Sequence, residues 1–210
     1  MKRFVSIAFF IMTMISAKVS ASIPAKSNSK TSTHKNSESS SMQNKYQSLR
    51  SIAFSKNESM QNRWAAIMKM ADIKGKDSIL DLKTLAGHDE WFLKNSALIA
   101  INKISLKEST ALAKKLLSDK ALVVRSMAVE ILKENLSKEI RELFWSELEK
   151  PYNYHGKKSL WVRKQIFSIL AQSPQLSEEI KFSKYLNDSD REVTQVAYKT
   201  YTENFKSLVR

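Results

Sequence analysis

A basic residue that recurs at a fixed spacing along the chain constrains the fold more than any other feature. We call the residue at this position the marker, and it is basic in four of its five occurrences. The markers are Arg63, Lys94, Arg125, Arg163 and Thr194. The first two intervals and the last are equal (125 − 94 = 31), and the third is longer (163 − 125 = 38). A fixed period in this range is typical of stacked repeats, in which no unit can bury its apolar face alone.

Each unit has the pattern of two helices joined by a turn. Three and seven residues after the marker, apolar side chains recur on one helical face, as in Ala128 and Leu132. Six residues before it stand polar residues that suit a turn, namely Asn57, His88, Asp119 and Asp188. A second, shorter amphipathic segment precedes each turn. The sequence therefore predicts an all-α fold, an α-solenoid of about five helix-turn-helix units.

The third unit carries the fullest form of the pattern. Leu117–Asp119 reads Leu-x-Asp and, after a short gap, Val124–Ala128 reads Val-Arg-x-x-Ala. This pattern resembles the HEAT repeat, and the short period is similar to the compact HEAT-like repeats related to those of bilin lyases. The resemblance covers about Gln47 to Phe205. It implies a solenoid that holds partners along its second helices, and it implies no reaction.

The N-terminal segment is typical of a secretory signal peptide. A basic start precedes the apolar run Phe4–Ile15, and Val19–Ala21 has the small residues of a cleavage site. Residues 1–21 are therefore predicted to be a signal peptide, and the protein to be exported, periplasmic or secreted. The alternative is an uncleaved membrane anchor, although the run is short beside the roughly 20 residues of a membrane span.

The composition changes after the predicted cleavage site. Residues 22–45 are rich in Ser, Asn, Lys and Thr and poor in large apolar residues, which predicts a disordered linker. A docking tail is the alternative. Residues 46–210 are predicted to form the HEAT-like repeat domain. The one longer interval implies an insertion at residues 150–158, where Pro151 and Gly156 predict a longer loop between the two helices of the fourth unit.

The charge balance favours an acidic partner or a polyanion without requiring one. The net charge is +14, and loss of Lys2, Arg3 and Lys18 with the signal peptide would leave +11 (14 − 3). The simpler interpretation is a solvated surface, since lysines are spread over all units among acidic residues. The chain has no cysteine, and its histidines His34, His88 and His155 are not at metal-ligand spacing.

We expect no metal, no cofactor and no catalytic residues. The sequence contains no glycine-rich phosphate-binding loop and no nucleophile motif. The aromatic residues beside the repeat positions are predicted to belong to the core. They are Trp91, Phe92, Phe144, Trp145, Trp161 and Phe167.

The leading functional prediction is an exported, non-enzymatic scaffold or adaptor that binds another protein through a solenoid surface. A nucleic-acid or other polyanion-binding protein, similar to the DNA glycosylases built of HEAT-like repeats, is the alternative, and the predicted signal peptide argues against it. A third possibility, by resemblance only, is an accessory module of a lyase. We expect no stable membrane span after signal cleavage.

Three groups of residues are candidates for function. The first is a stripe one and eight residues after the marker, expected to line the concave side, and it includes Trp64, Asn95, Asn102, Ser126, Lys133, Lys164 and Gln195. The second is the insertion, with Tyr152, Tyr154 and His155. The third is a structural ladder in which marker cations reach the turn of their own or an adjoining unit, formed by Arg63, Lys94, Asp119, Arg125, Arg163 and Asp188.

Overall fold

A computed structural model describes residues 33–156 and 158–206, with side chains from Ser39 onward. The predicted signal peptide and the first part of the predicted linker, up to residue 32, lie outside the described residues. The chain divides into two units, residues 1–38 and residues 39–210. The fold set out below is that of the second unit.

Helices dominate the described part of the chain, which confirms the predicted all-α class. They are α1 (Thr33–Phe54), α2 (Met60–Lys74), α3 (Ile79–Ala86), α4 (Trp91–Ile104), α5 (Leu106–Leu116), α6 (Leu122–Lys133), α7 (Lys138–Glu147), α8 (Trp161–Gln172), α9 (Glu179–Ser183) and α10 (Arg191–Asn204). Short 3-10 turns at Gly75–Ser78, Pro151–Asn153, Leu176–Glu178 and Lys184–Asn187 complete the helical structure.

The helices fall into two sets that alternate along the chain. We call α1, α3, α5, α7 and α9 the first helices, and α2, α4, α6, α8 and α10 the second helices. Within a unit α3 packs on α4, α5 on α6, α7 on α8 and α9 on α10, while each second helix also packs on the next one along the chain. All five markers lie in the first turn of a second helix.

The residues after each marker explain why the second helices pack closely. Three residues on, every side chain is buried, and four of the five are alanine: Ala66, Ala97, Ala128, Ile166 and Ala197. A small side chain lets a neighbouring helix approach, and ridges of larger side chains fill the grooves beside it. Seven residues on, Met70, Ile101, Leu132 and Leu170 are also buried, whereas Tyr201 in the last unit is half-buried.

The buried side chains form two clusters that meet at α4 and α5. One includes Tyr46, Ile67, Leu82 and Ile101, and the other includes Phe144 and the core of the later helices. Leu98 of α4 belongs to the later cluster, and Leu112 of α5 packs against both. The two clusters are therefore in contact through Leu112 at the boundary between the second and third units.

Helix α1 begins at Thr33, so the last part of the segment expected to be a disordered linker is helical. Residues 33–45 contain no proline or glycine, and nothing in them interrupts a helix that is anchored further on. Packing begins later. Residues 39–45 are exposed, Tyr46 is buried, and its hydroxyl donates a hydrogen bond to Asp81 at 2.8 Å.

The insertion forms a loop between α7 and α8, at the predicted place. After the 3-10 turn at Pro151–Asn153, strand β1 (Tyr154–His155) pairs antiparallel with β2 (Lys158–Ser159). Gly156, between them, has a φ of +60°, which glycine adopts without strain. The strands were not predicted, because two residues are too few to show an alternating pattern.

Candidate functional site

The marker cations line the edge where the first and second helices of each unit are joined. We call Arg63, Lys94, Arg125 and Arg163 the turn row. The Arg63 guanidinium donates to Glu90 at 2.8 and 3.2 Å, and Lys94 donates to Asp119. In both pairs the carboxylate belongs to the turn of the following unit. The turn row therefore ties each unit to the next, which is one of the two arrangements expected of the ladder.

Arg163 makes the most complete set of contacts in the turn row. Its side chain is 1% exposed and donates to both carboxylate oxygens of Asp188, at 3.1 and 2.6 Å. It also donates to the Leu148 carbonyl at 2.9 Å and to the Ser159 hydroxyl at 2.7 Å. The ring of Tyr154 lies 4.6 Å from the guanidinium carbon, a cation–π contact. A buried cation held in this way is structural.

Arg125 differs from the other members of the turn row. It donates to the main-chain carbonyls of Asp119 at 2.7 Å and Tyr152 at 2.9 Å, and not to a carboxylate. Its Nε is buried and has no acceptor among the described residues. Burial is the largest influence on this group and lowers the pKa of Arg125, while the charges of Asp119 and Glu147 act in the opposite direction. In the fourth unit the insertion stands where the other units have their turn, and the Tyr152 carbonyl takes the place of a carboxylate.

The tyrosines of the insertion pack against the turn row and are not free for a partner. The Tyr152 hydroxyl donates to Glu147 at 2.7 Å, and its ring lies 5.4 Å from the Arg125 guanidinium. The Tyr154 hydroxyl donates to the Leu148 carbonyl at 3.1 Å. Burial raises the pKa of both tyrosines. Of the three residues predicted to make this loop a binding site, only His155 is exposed.

The predicted concave stripe is not a continuous exposed surface. Asn95 is 4% exposed, and Ser126 is buried with its hydroxyl bonded to Gln165 of the next unit at 2.9 Å. Both side chains are short, so the following second helix covers them. The other stripe residues divide into the half-buried Trp64, Asn102 and Lys164 and the exposed Lys133 and Gln195.

No position of the stripe is itself acidic, but acidic residues from other positions lie beside it. Lys133 pairs with Glu130, and Lys164 lies 3.0 Å from Glu192. Asn102 donates weakly to Glu134 at 3.4 Å. The polar groups of this face therefore satisfy one another, and the face offers a partner few free donors.

A different surface leaves large apolar side chains in solvent. We call Met60, Trp91, Val123 and Trp161 the apolar edge, and their exposed fractions are 43, 45, 39 and 49%. Each lies in the first turn of a second helix, α2, α4, α6 and α8 in that order. Trp91 and Trp161 were predicted to be core residues, and both are half-exposed. Phe92, Phe144, Trp145 and Phe167 are buried as predicted.

The second helices run in the same direction, which brings the apolar edge together. Residues at equal distances from their markers meet across neighbouring helices, as in the ion pair of Lys103 with Asp72 at 2.9 Å. Second helices that pack on one another lie roughly 8–10 Å apart. Met60 and Trp91 stand three residues before their markers, and Val123 and Trp161 stand two before theirs, so all four lie near the same ends of successive second helices. Sequence reasoning missed this edge because it assigned Trp91 and Trp161, as aromatic residues beside repeat positions, to the core.

An open cleft of about 750 Å³ lies between α7, the insertion and the turn after α9. Its charged lining is largely paired internally: Glu142 with Lys181 at 2.6 Å, and Glu149 with the Tyr185 hydroxyl at 2.5 Å. Beneath it, Trp145 is almost wholly buried. The two glutamates of this cleft are therefore engaged by partners within the protein.

One buried ion pair links α7 to the last unit. The Arg141 and Glu178 side chains are 3 and 4% exposed, and the Trp145 indole donates to the same carboxylate at 2.7 Å. Burial alone would raise the pKa of Glu178, but the hydrogen bonds from Arg141, Trp145 and the Gln175 backbone hold it below its ordinary value. Neither residue stands at a position that the repeat pattern singled out.

Comparison with known proteins assigns no relative. No model of a protein family matches this chain, and no curated protein matches its sequence. Among the described residues, no three acidic or histidine side chains come together as a metal site would require. No helix in the same part of the chain is long and apolar enough to cross a bilayer.

Proposed function

We propose that this chain is a HEAT-like α-solenoid that serves as an exported, non-enzymatic scaffold or adaptor and binds another protein. The solenoid arrangement is supported by two regularities. Each second helix packs on the next, and the Arg63, Lys94 and Arg163 cations reach carboxylates in the following unit. Export is supported by the pattern of residues 1–21 alone.

The observation that carries the binding proposal is the apolar edge. Trp91 and Trp161 each leave about half of a large indole in water, which costs free energy unless a partner covers it. Tryptophan is enriched among the interface residues that dominate binding energy. Four such side chains on successive helices form an extended surface, and this suits a protein partner that lies across several units.

The aliphatic members of the apolar edge lie on different helices from the tryptophans. Met60 lies on α2, which precedes the helix of Trp91. Val123 lies on α6, which comes between the two helices that carry the tryptophans. A partner that covers the edge would therefore bury a mixed aromatic and aliphatic strip. The charged residues nearby, among them Asp89 and Lys120, are largely exposed and would form the polar rim of such an interface.

The test compares two pairs of exposed apolar residues. In the first variant Trp91 and Trp161 are both changed to serine. In the matched control Leu80 and Ile180, which are 78 and 75% exposed on the first helices α3 and α9, are changed to serine. Each protein is used to capture partners from an extract of its native compartment, and stoichiometric partners are quantified.

We expect the tryptophan variant to lose its partner by at least tenfold, since hot-spot residues contribute about 2 kcal/mol or more each. The Leu80 and Ile180 control should retain it. Equal capture by both variants, or no stoichiometric partner for the unchanged protein, would contradict the proposal. Circular dichroism of each variant verifies that the helices persist.

A further inference from the structure

A second set of cations follows the repeat on another edge of the molecule. Lys45, Lys76, Lys107 and Lys138 are evenly spaced at the period of the repeat (76 − 45 = 31). Lys45 lies in α1, Lys76 in the 3-10 turn before α3, and the other two in the first turns of α5 and α7. We call these four residues the lysine row.

Ion pairs between the first helices bring the lysine row onto one edge. Arg50 of α1 pairs with Asp81 of α3 at 3.0 Å. Lys83 of α3 pairs with Glu108 of α5 at 2.6 Å. Lys114 of α5 pairs in the same way with Glu139 of α7 at 2.6 Å. Successive first helices are therefore adjacent, and the lysine row passes from each one to the next.

The four lysines of the row are exposed to solvent, and their ammonium groups have no partner among the described residues. All four residues are exposed, and none has an ion pair or hydrogen-bond partner for its ammonium group among the described residues. Such a row places like charges along one edge, and none of its ammonium groups forms a direct ion pair within the described residues. Its electrostatic energy falls when an anionic surface comes near.

The acidic residues nearest to the lysine row are mostly neutralised already. Asp77, Glu108 and Glu139 each follow a member of the row directly. Glu108 and Glu139 accept from Lys83 and Lys114, and the bond from Lys83 is the largest influence lowering the pKa of Glu108. Asp77 is exposed and is the one carboxylate of the three that subtracts from the positive potential of the edge.

Exposed aliphatic side chains accompany the lysines. Leu106, which directly precedes Lys107, is 45% exposed, and Met42, one helical turn before Lys45, is 55% exposed. Lysines interspersed with exposed aliphatic groups are suited to the interface of a membrane, where the ammonium groups meet head groups and the apolar tips reach the acyl boundary.

We propose that the lysine row docks this protein peripherally on an anionic lipid surface. A nucleic acid fits the row less well. Lysine supplies point charges, whereas the planar fork of arginine suits specific phosphate contacts, and the row contains no arginine. Single strands also need aromatic platforms, and the aromatic side chain within the row's own turns, Tyr46, is buried.

The experiment measures partition of the full chain onto vesicles. One set is made of phosphatidylcholine alone and the other contains about a third phosphatidylglycerol. The readout is the ratio of the two partition coefficients, so that any apolar attraction common to both vesicles cancels. Near an anionic surface each lysine contributes roughly a fivefold gain in binding. Because Asp77 offsets one of the four lysines, we expect a ratio on the order of a hundred at low salt and a much smaller one at high salt.

A charge-matched pair of variants locates the effect. In the row variant Lys45, Lys76, Lys107 and Lys138 become glutamine. In the control four exposed lysines elsewhere become glutamine, namely Lys56, Lys115, Lys184 and Lys199. Both variants lose four positive charges, so net charge alone cannot distinguish them. The row variant should bring the ratio near one, and the control should keep most of it.

Three results would overturn the proposal. Equal losses in the two variants would mean that net charge and not the row drives adsorption. A ratio near one for the unchanged protein would mean that no anionic lipid surface is recognised. If the unchanged protein ignores both vesicles but binds a single-stranded oligonucleotide in a row-dependent manner, the row is a nucleic-acid site instead.

Discussion

The turn row and the lysine row use the same period and the same kind of residue, yet their surroundings are opposite. Members of the turn row such as Arg163 and Arg63 have side chains that are 1 and 5% exposed, with carboxylate partners in the next unit. Members of the lysine row such as Lys107 are exposed and unpaired among the described residues. The spacing of a recurring cation therefore does not show whether it is structural. That depends on whether the following unit covers it.

The position of each row in its helix accounts for the difference. The turn row lies in the first turn of the second helices, where the following unit places a turn with an acidic residue such as Glu90 or Asp119. A cation covered there must be paired, since an unpaired buried charge is costly. Lys76, Lys107 and Lys138 lie at or just before the start of their first helices and Lys45 lies within α1, and all four are exposed to solvent.

The largest expected difference in stability is between one substitution in each row, both in the fourth unit. Arg163→Ala removes a buried cation and leaves the Asp188 carboxylate without its partner, which should cost about 3–5 kcal/mol in the free energy of unfolding. Lys138→Gln, in the lysine row of the same unit, should change it by less than about 0.5 kcal/mol. Urea titration followed by circular dichroism measures both. Comparable losses would mean that the rows do not differ in structural role.

The second prediction asks whether burial or row membership makes a cation structural. Arg141 belongs to neither row, but its pair with Glu178 is buried. Glu178→Gln should therefore cost about 3 kcal/mol at neutral pH, as the removal of one partner from a buried pair does. A small loss would restrict structural importance to the turn row.

The pH dependence of Glu178 gives the same claim a second readout. The pKa of Glu178 is held below the ordinary value in the folded protein. A lowered folded pKa contributes stability that is present above the ordinary pKa and is lost as the pH falls through the lowered one. The unfolding free energy of the unchanged protein should therefore fall with acidification below about pH 4.5, and Glu178→Gln should flatten that slope. Parallel slopes would contradict the assignment.

The third prediction tests the helix phase on which both rows depend. Ala128 is fully buried between α6 and its neighbours, so Ala128→Leu should overpack that contact and cost about 1–3 kcal/mol. Glu130→Ala should cost less than about 1 kcal/mol, because Glu130 is only half-buried and loses one hydrogen bond from Gln165. If the two substitutions cost the same, the face assigned to the core is wrong.

The features that repeat along the chain could be predicted from the sequence. The helix class, the turn after each first helix, the insertion and the buried alanine column follow from local periodicity, which needs no knowledge of the neighbouring unit. His88 also has a turn role, since its Nδ1 accepts from the Glu90 backbone at 3.2 Å. These features depend on residues close together in the chain.

The features that were missed depend on what lies across the unit boundary. Asn95 was expected to be exposed, but the next helix covers it, and Trp91 was expected to be buried, but nothing described covers its outer half. Arg125 was expected to reach Asp119 or the turn of an adjoining unit. It donates to the Asp119 carbonyl and to the Tyr152 carbonyl of the next unit, and the part that the sequence did not predict is that the Asp119 carboxylate pairs with Lys94. The period gives the position of a residue within its unit and does not give the exposure that results from stacking.

The claim that the turn row holds successive units together is tested most directly by a double-mutant cycle on Lys94 and Asp119, whose side chains are 12 and 7% exposed in neighbouring units. Lys94→Met and Asp119→Asn are made singly and together, the asparagine oxygen preserving the cap on Ala121. The same cycle on the exposed pair of Lys114 and Glu139 is the control. We predict a coupling free energy of about 1–3 kcal/mol for the turn pair and below about 1 kcal/mol for the exposed pair. A coupling near zero for Lys94 and Asp119, or equal couplings for the two pairs, would contradict a role of the turn row in holding successive units together.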